Sequence, residues 1–474
     1  MLVQKLTICL FIAGASATIG RVHLGHHHVA HQRRDTPTNA ASFAKLTNAH
    51  QECQSYGDDT VTKMINQNEF PKPDHIAGIL DGDKDAHALY NEIKDKIPKA
   101  DVRKGTKDHR GFAEDKPSYP ESDPDCWWSM SGCNKPKHDN IIQDVTQCKE
   151  DSTWGLTFDD GPFCAHNKLY NFLQEQKLRA TMFYIGSNVL QYPYQAQRAI
   201  VDGHDVCHHS WSHRLMTTLS NEQVFAELYY SGKVIKKVMG VTPRCWRPPQ
   251  GDVDDRVRYI ASALGYRTIM WKEDTDDWNI QPAGELTEDK VDSNYRKIFN
   301  KADKESPVVL THEISSHTIN EFIKMYPEMK KAYKHVAPVS VCTGVQNPYP
   351  EDITYPTFDE YTSGNMNYQG LPSGNKIKAD DSASFKPVPI DQEKGGFGHP
   401  GQKAASSKSS SGAASSSSSS SHSARSTSSD STNDTASDAT DESTNFSGQG
   451  SNSAASLVVP VIGPLAAVVG ALIM

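Results

Sequence analysis

Between residues 148 and 345, short β-rich runs alternate with amphipathic runs at helical spacing. The β-rich runs fall at 153–158, 180–185, 205–207, 244–247, 267–271, 307–311 and 338–342. Between them, Leu169, Phe172 and Leu173 share one helical face. Val224, Leu228 and Ile235 share another, and Val257, Ile260, Ala261 and Leu264 a third. This alternation predicts an α/β fold with a parallel sheet. About seven strands suit an incomplete, distorted β/α barrel. In such folds the functional residues gather at the C-terminal ends of the strands.

The flanks have a different texture. Residues 18–147 form an irregular N-terminal extension rich in Asp, Lys, Pro and His, with helical spacing only over 76–97. Trp127 and Trp128 within it read either as a sugar-stacking surface or as a core pair. Residues 346–402 are Pro- and Gly-rich, a linker or a wrapping extension. Residues 403–456 are almost all small and polar and cannot bury enough apolar surface to fold, which predicts a disordered Ser-rich stalk. Its Ser and Thr suit O-glycosylation, and the two N-glycosylation sequons of the chain, at Asn433 and Asn445, both fall there.

The termini read as processing signals. Residues 1–17 carry Lys5, a short apolar stretch and Ala15-Ser16-Ala17, the layout of a secretory signal peptide. Residues 457–474 carry no charge and follow small residues and a polar spacer, the layout of a hydrophobic tail exchanged for a GPI lipid. Together they predict export to the outer face of the plasma membrane and the cell wall. His26, His27, His28 and His31 read as a disordered tract rather than a metal site. Of nine cysteines, Cys9 falls in the signal segment, and the even remainder in an exported chain predicts disulfides. Cys126 with Cys133 would close a local loop, and Cys148 with Cys342 would tie the ends of the periodic region. No C-x-x-C pair is present, which argues against a cysteine zinc site.

Charge narrows the function further. Lys and Arg total 49 against 58 Asp and Glu, a net charge of −9 with no basic stripe, which argues against a nucleic-acid binder. No internal apolar run reaches the roughly 18 residues a membrane span needs, so a multi-span membrane protein is excluded as well.

Candidate chemistry sits where the predicted strands end. Asp159-Asp160-Gly161-Pro162 follows the first strand, and His208-His209-Ser210-Trp211-Ser212-His213 the third. Arg247-Pro248-Pro249-Gln250-Gly251 follows the fourth, Asp274-Thr275-Asp276-Asp277-Trp278 the fifth, and Leu310-Thr311-His312 closes the sixth. His209 and His213 at i,i+4 on a helical turn would point two imidazoles the same way. With one carboxylate they would leave an open position on a zinc-like ion. His204 and His208 share that spacing, but a predicted strand separates them. His312-Glu313 with His317 is one residue too long for H-E-x-x-H. Adjacent carboxylates such as Asp159 and Asp160 repel unless a cation lies near.

In order and strand context, these five motifs resemble those of the polysaccharide (NodB-type) deacetylases, carbohydrate esterase family 4. The resemblance covers residues 150–345, and with the signal, stalk and tail it extends to the exported, GPI-anchored fungal members that act on chitin. It implies one divalent metal ion, zinc or cobalt, held by Asp160, His209 and His213. It implies Asp159 as catalytic base, oriented by Arg247, and His312 as the acid that protonates the departing amine, tuned by Asp274. Leu310 and Trp278 would line the acetyl pocket, and the backbone N–H of Gln250 would help hold the oxyanion. The family more often has an aromatic at that last position, so the wall of the sugar site differs here. The implied activity is hydrolysis of N-acetyl groups of chitin and chitin oligosaccharides to chitosan and acetate. The rivals are another polysaccharide deacetylase, an acetyl-esterase on the same fold, or a non-catalytic wall mannoprotein.

Overall fold

The β-rich runs pair into one parallel sheet whose continuous order is β5-β4-β3-β2-β1-β7-β6. The strands are β1 (Thr153–Gly161), β2 (Thr181–Tyr184), β3 (Asp205–His208), β4 (Cys245–Trp246), β5 (Arg267–Thr268), β6 (Glu273–Asp274) and β7 (Val308–Leu310). An eighth, β8 (His335–Ala337), pairs with the start of β1. This computed structural model describes residues 36–390, apart from 116 and 140. The signal segment, the His26–His31 tract, the stalk with Asn433 and Asn445, and the apolar tail lie outside the described residues.

Curvature without closure follows from the pairing. β5 and β6 end the order without pairing with each other. The segment before β1 spans part of the gap, with Val145 bridged to Ile269 and Gln147 to Pro307. This is the incomplete barrel that the strand count predicted.

β1 is buried along nearly its whole length, as a central parallel strand must be. Its even positions face helices: Trp154 stacks on Tyr295 of helix Glu288–Phe299, and Phe158 meets Phe322 of helix Ser316–Ala332 edge-on at 4.9 Å. Its odd positions Thr157 and Asp159 face Arg247 in the interior. The longest helix, Asn221–Met239, starts at a capping box between Ser220 and Gln223 and stops at left-handed Gly240.

One expected strand is corrected. The run 338–342 is not a strand: β8 lies three residues earlier, and Val339–Cys342 forms a short helix. Pro338 lacks the N–H a ladder needs but suits the position before a helix, where its carbonyl accepts from Cys342. The short β6 has no counterpart among the expected strands, since two residues carry no periodicity.

The flanks pack onto the barrel. Glu52 accepts from the backbone N–H of Asn167, and Cys53 is bonded to Cys164. On the other side, Tyr349 accepts from Val206 N–H and Tyr355 donates to His204 O. Cys126–Cys133, Cys148–Cys342 and Cys207–Cys245 complete the disulfides among the described residues. Cys148 and Cys342 stand 194 positions apart in sequence, so their bridge ties both ends of the barrel region.

Candidate active site

β1 carries the first two carboxylates. In a regular strand Asp159 and Asp160 would point to opposite faces. The register with β2 slips between Asp159 and Gly161, and Asp160 takes a left-handed φ of 69°. This bulge cancels the alternation, and both carboxylates reach the same imidazole. His209 Nε2 lies 3.3 Å from Asp160 Oδ1 and 3.7 Å from Asp159 Oδ2. His213 Nε2 lies 3.0 Å from the same Asp160 oxygen.

The two histidines come together without the helical turn expected of them. Both follow β3 in a loop whose backbone turns through left-handed Ser210 and His213. Their ring centroids are 4.9 Å apart. The loop is held from below by Glu227, a fully buried carboxylate that accepts from Trp211 N, Ser212 N, Ser212 Oγ and Ala77 N. No motif singled out Glu227, because it reads as an ordinary helix residue. Its place inside the otherwise apolar run 224–230 was the available signal.

The donor set fits a cation. His209 Nδ1 sits 2.7 Å from the carbonyl of Arg247. That carbonyl only accepts, so Nδ1 carries the proton and Nε2 is turned toward Asp160. Asp160 Oδ1 is buried and has no hydrogen-bond donor among the described residues. An oxygen and two imidazole nitrogens therefore converge, all within 4.8 Å of one another. Burial alone would raise the Asp160 carboxyl, yet positive charge on His213 and His209 would hold it well below the usual carboxylate range, the same effect that a bound cation would have. Of the rival pairs, His204 and His208 are buried in the core, and exposed His317 is parted from buried Glu313.

Asp159 is 1% exposed and paired with the fully buried Arg247, Nη1 to Oδ1 at 2.6 Å. The guanidinium also donates to Thr157 Oγ1, Ile269 O and Met270 O, and lies 4.1 Å from the centre of the Phe183 ring. With its other nitrogens occupied, it fixes Asp159 in place. Burial depresses the Arg247 pKa, and Asp159 opposes that.

On the opposite flank stands His312, just beyond β7. Asp277 accepts from both its Nδ1, at 2.7 Å, and its backbone N–H, at 2.9 Å. Burial disfavours the charged ring, but Asp277, with Asp160 and Asp159 further off, raises its pKa to about 10. Here the expected tuning carboxylate is corrected: Asp277, not Asp274, touches His312. Asp274 pairs with Leu310 across β6 and β7 and accepts from Asp276 N–H. Burial and the charge of Asp276 push Asp274 up to about 7. The choice between them is made by left-handed Asp276 and the turn Asp277–Asn279, which swing the later carboxylate inward.

Leu310 ends β7 almost buried, and Trp278 is half-buried on the Asp277–Asn279 turn. Gln250 has φ 54°, and its backbone N–H has no acceptor among the described residues. Its side chain is exposed and donates to Arg110 O at 3.1 Å. Beneath the carboxylates Glu313 is buried against Gly161, where any side chain would collide with it at 1.7 Å.

The chain is similar to known proteins over the barrel region and beyond it. The polysaccharide deacetylase family matches residues 146–269. Chitin deacetylase 2 of Cryptococcus neoformans var. grubii is 42% identical over 386 residues, which is 77% of this chain and 83% of that one. The chitin deacetylase of Amylomyces rouxii is 43% identical over 64% of this chain and 73% of its own. The solved chitin deacetylase of Colletotrichum lindemuthianum superposes with a TM-score of 0.41 at 25% identity, over 44% of this chain and 96% of that one.

Proposed function

The chain belongs to the polysaccharide deacetylase family, with the fungal chitin deacetylases as its relatives, and from that membership we propose that it hydrolyses the N-acetyl groups of chitin to glucosamine units and acetate. The observation that carries the reading is the placement of a buried carboxylate–guanidinium pair and a carboxylate–imidazole pair on opposite flanks of one cation-binding triad.

We assign the triad Asp160, His209 and His213 to a divalent ion, zinc or cobalt. When bound, the ion supplies Lewis acidity, polarising the acetamide carbonyl and making a water acidic enough to attack at neutral pH. The chain's own residues do the rest. Asp159, immobilised by Arg247, takes the proton of the attacking water. The free N–H of Gln250 donates to the carbonyl oxygen as it becomes an oxyanion. The C–N bond then breaks, and His312 delivers its proton to the departing amine. Amide nitrogen leaves only when protonated, so an imidazole kept protonated by Asp277 meets that need. Leu310 and Trp278 offer an apolar seat for the acetyl methyl.

The arrangement predicts a pH effect. A general acid works while protonated, so activity falls as pH rises through the His312 pKa. Asp277→Asn removes the charge that raises this value. The alkaline limb of the pH–rate profile is expected to shift to lower pH, and Asp274→Asn to move it much less. Equal shifts in the two variants would remove Asp277 from this role.

The activity is tested by acetate release from N-acetylglucosamine oligomers, with acetylated xylan as the competing substrate. Release from the xylan alone would overturn the chitin reading. The signal-like start, the GPI-like tail and the disulfides support action at the outer membrane face and in the wall.

A further inference from the structure

The seven tryptophans divide into two groups. Trp127, Trp154, Trp211 and Trp246 are fully buried. Three of these indole N–H groups find acceptors: Trp127 in Asp252, Trp211 in Lys72 O and Trp246 in Thr268. Trp128, Trp271 and Trp278 are half-buried, and no hydrogen-bond partner takes their N–H groups among the described residues. Trp278 belongs to the acid flank. The other two stand together on the base flank, their rings 4.8 Å apart and inclined at 61°.

Their place is set by the catalytic machinery itself. The Arg247 guanidinium that holds Asp159 lies 5.6 Å from the Trp271 ring centre. Trp128 lies on Gly251, the residue after Gln250, so closely that a Cβ there would come within 2.3 Å of its ring. Gly251 also has φ 71°, so this contact requires glycine twice over. Trp128 is rigidly mounted: its backbone N–H donates to Val253 O, and the Cys126–Cys133 bridge closes its turn. Buried Arg258 clamps both ends of that turn through Cys126 O and Cys133 O. The N-terminal extension thus carries an aromatic ring to the rim of the site, beside exposed Gln250 and Met130.

We infer that Trp128 and Trp271 form a binding platform for an N-acetylglucosamine ring adjacent to the one being deacetylated. This deepens the activity proposed above and rests on it. A pyranose ring in a β-1,4 chain presents C–H groups on its faces and hydroxyls at its edge. A half-buried indole with a free N–H matches both, with an apolar face and an edge donor. The mounting is rigid, so little conformational entropy is lost on binding. The extension before the barrel then acts in chain-length recognition.

The test compares Trp128→Ala and Trp128→Phe with the wild type on the monomer and tetramer of N-acetylglucosamine. Trp128→Ala is expected to lose about three- to tenfold in kcat/KM on the tetramer, the scale of one aromatic stacking contact. The loss should lie in KM and be nearly absent on the monomer, and Trp128→Phe should recover most of it. Quenching of tryptophan emission by the tetramer should weaken in parallel, and unchanged thermal midpoints would establish that the variants fold. An equal loss on both lengths, or one carried by kcat, would overturn the platform and leave Trp128 a prop for the Gly251 loop. If the wild type released no acetate while tetramer quenching still depended on Trp128, the activity reading would fail and the platform stand.

Discussion

Asp159→Asn is expected to reduce acetate release from chitin oligomers about a thousandfold, within the range for loss of a general base. The amide has nearly the shape of the carboxylate but cannot take up the proton of the attacking water. Because the base acts as the water attacks, the loss should fall on kcat and leave KM close to its original value. The fold should survive. Asn keeps an oxygen for Arg247 Nη1, and the guanidinium retains Thr157 Oγ1, Ile269 O and Met270 O. Removing the counter-charge of a buried guanidinium costs up to about 3–5 kcal/mol, less whatever the remaining hydrogen bond to Asn retains. Urea denaturation alongside the acetate assay separates the two effects. Wild-type turnover in a folded Asp159→Asn protein would disprove the base assignment.

Stripping divalent metal with a chelator is expected to bring acetate release to background, with recovery on adding back zinc or cobalt. Far-ultraviolet dichroism should stay unchanged, because the triad sits at the end of β1 and in the loop after β3, and the core and four disulfides hold the barrel without it. His213→Ala should weaken metal uptake by about 100-fold or more, since even the partners behind a ligand are worth 10–100-fold. His208→Ala, although adjacent to His209, should leave metal stoichiometry intact, because His208 faces Tyr266 and Trp246 in the core. Full activity in demonstrably metal-free protein would end the account of the triad.

The site was legible in outline because its residues stand in short, local motifs at strand ends. Asp159, Asp160, His209, His213, Arg247 and His312 all occupy one face of the sheet's C-terminal edge. The details that failed were those in which local pattern competes with backbone geometry. The i,i+4 spacing of the histidines suggested a helix, whereas two left-handed residues in a loop bring the rings together. Asp274 and Asp277 are chemically identical in the sequence, and only the left-handed turn at Asp276 selects between them. Trp127 and Trp128 are adjacent and alike, yet one donates to Asp252 in the core and the other rests on Gly251 at the rim.

From the sequence alone follow the parallel α/β class, the alternating strands and helices, the even cysteine count and the residue types available at each strand end. These are properties of periodicity and composition, carried by neighbours within a few positions. Tertiary structure alone decided the partners: Asp277 with His312 across 35 residues, Ala77 with Glu227 across 150, and Trp128 against Trp271. Such pairings depend on how the sheet curls and where its loops turn, and that is settled by the packing of the whole core rather than by any segment within it.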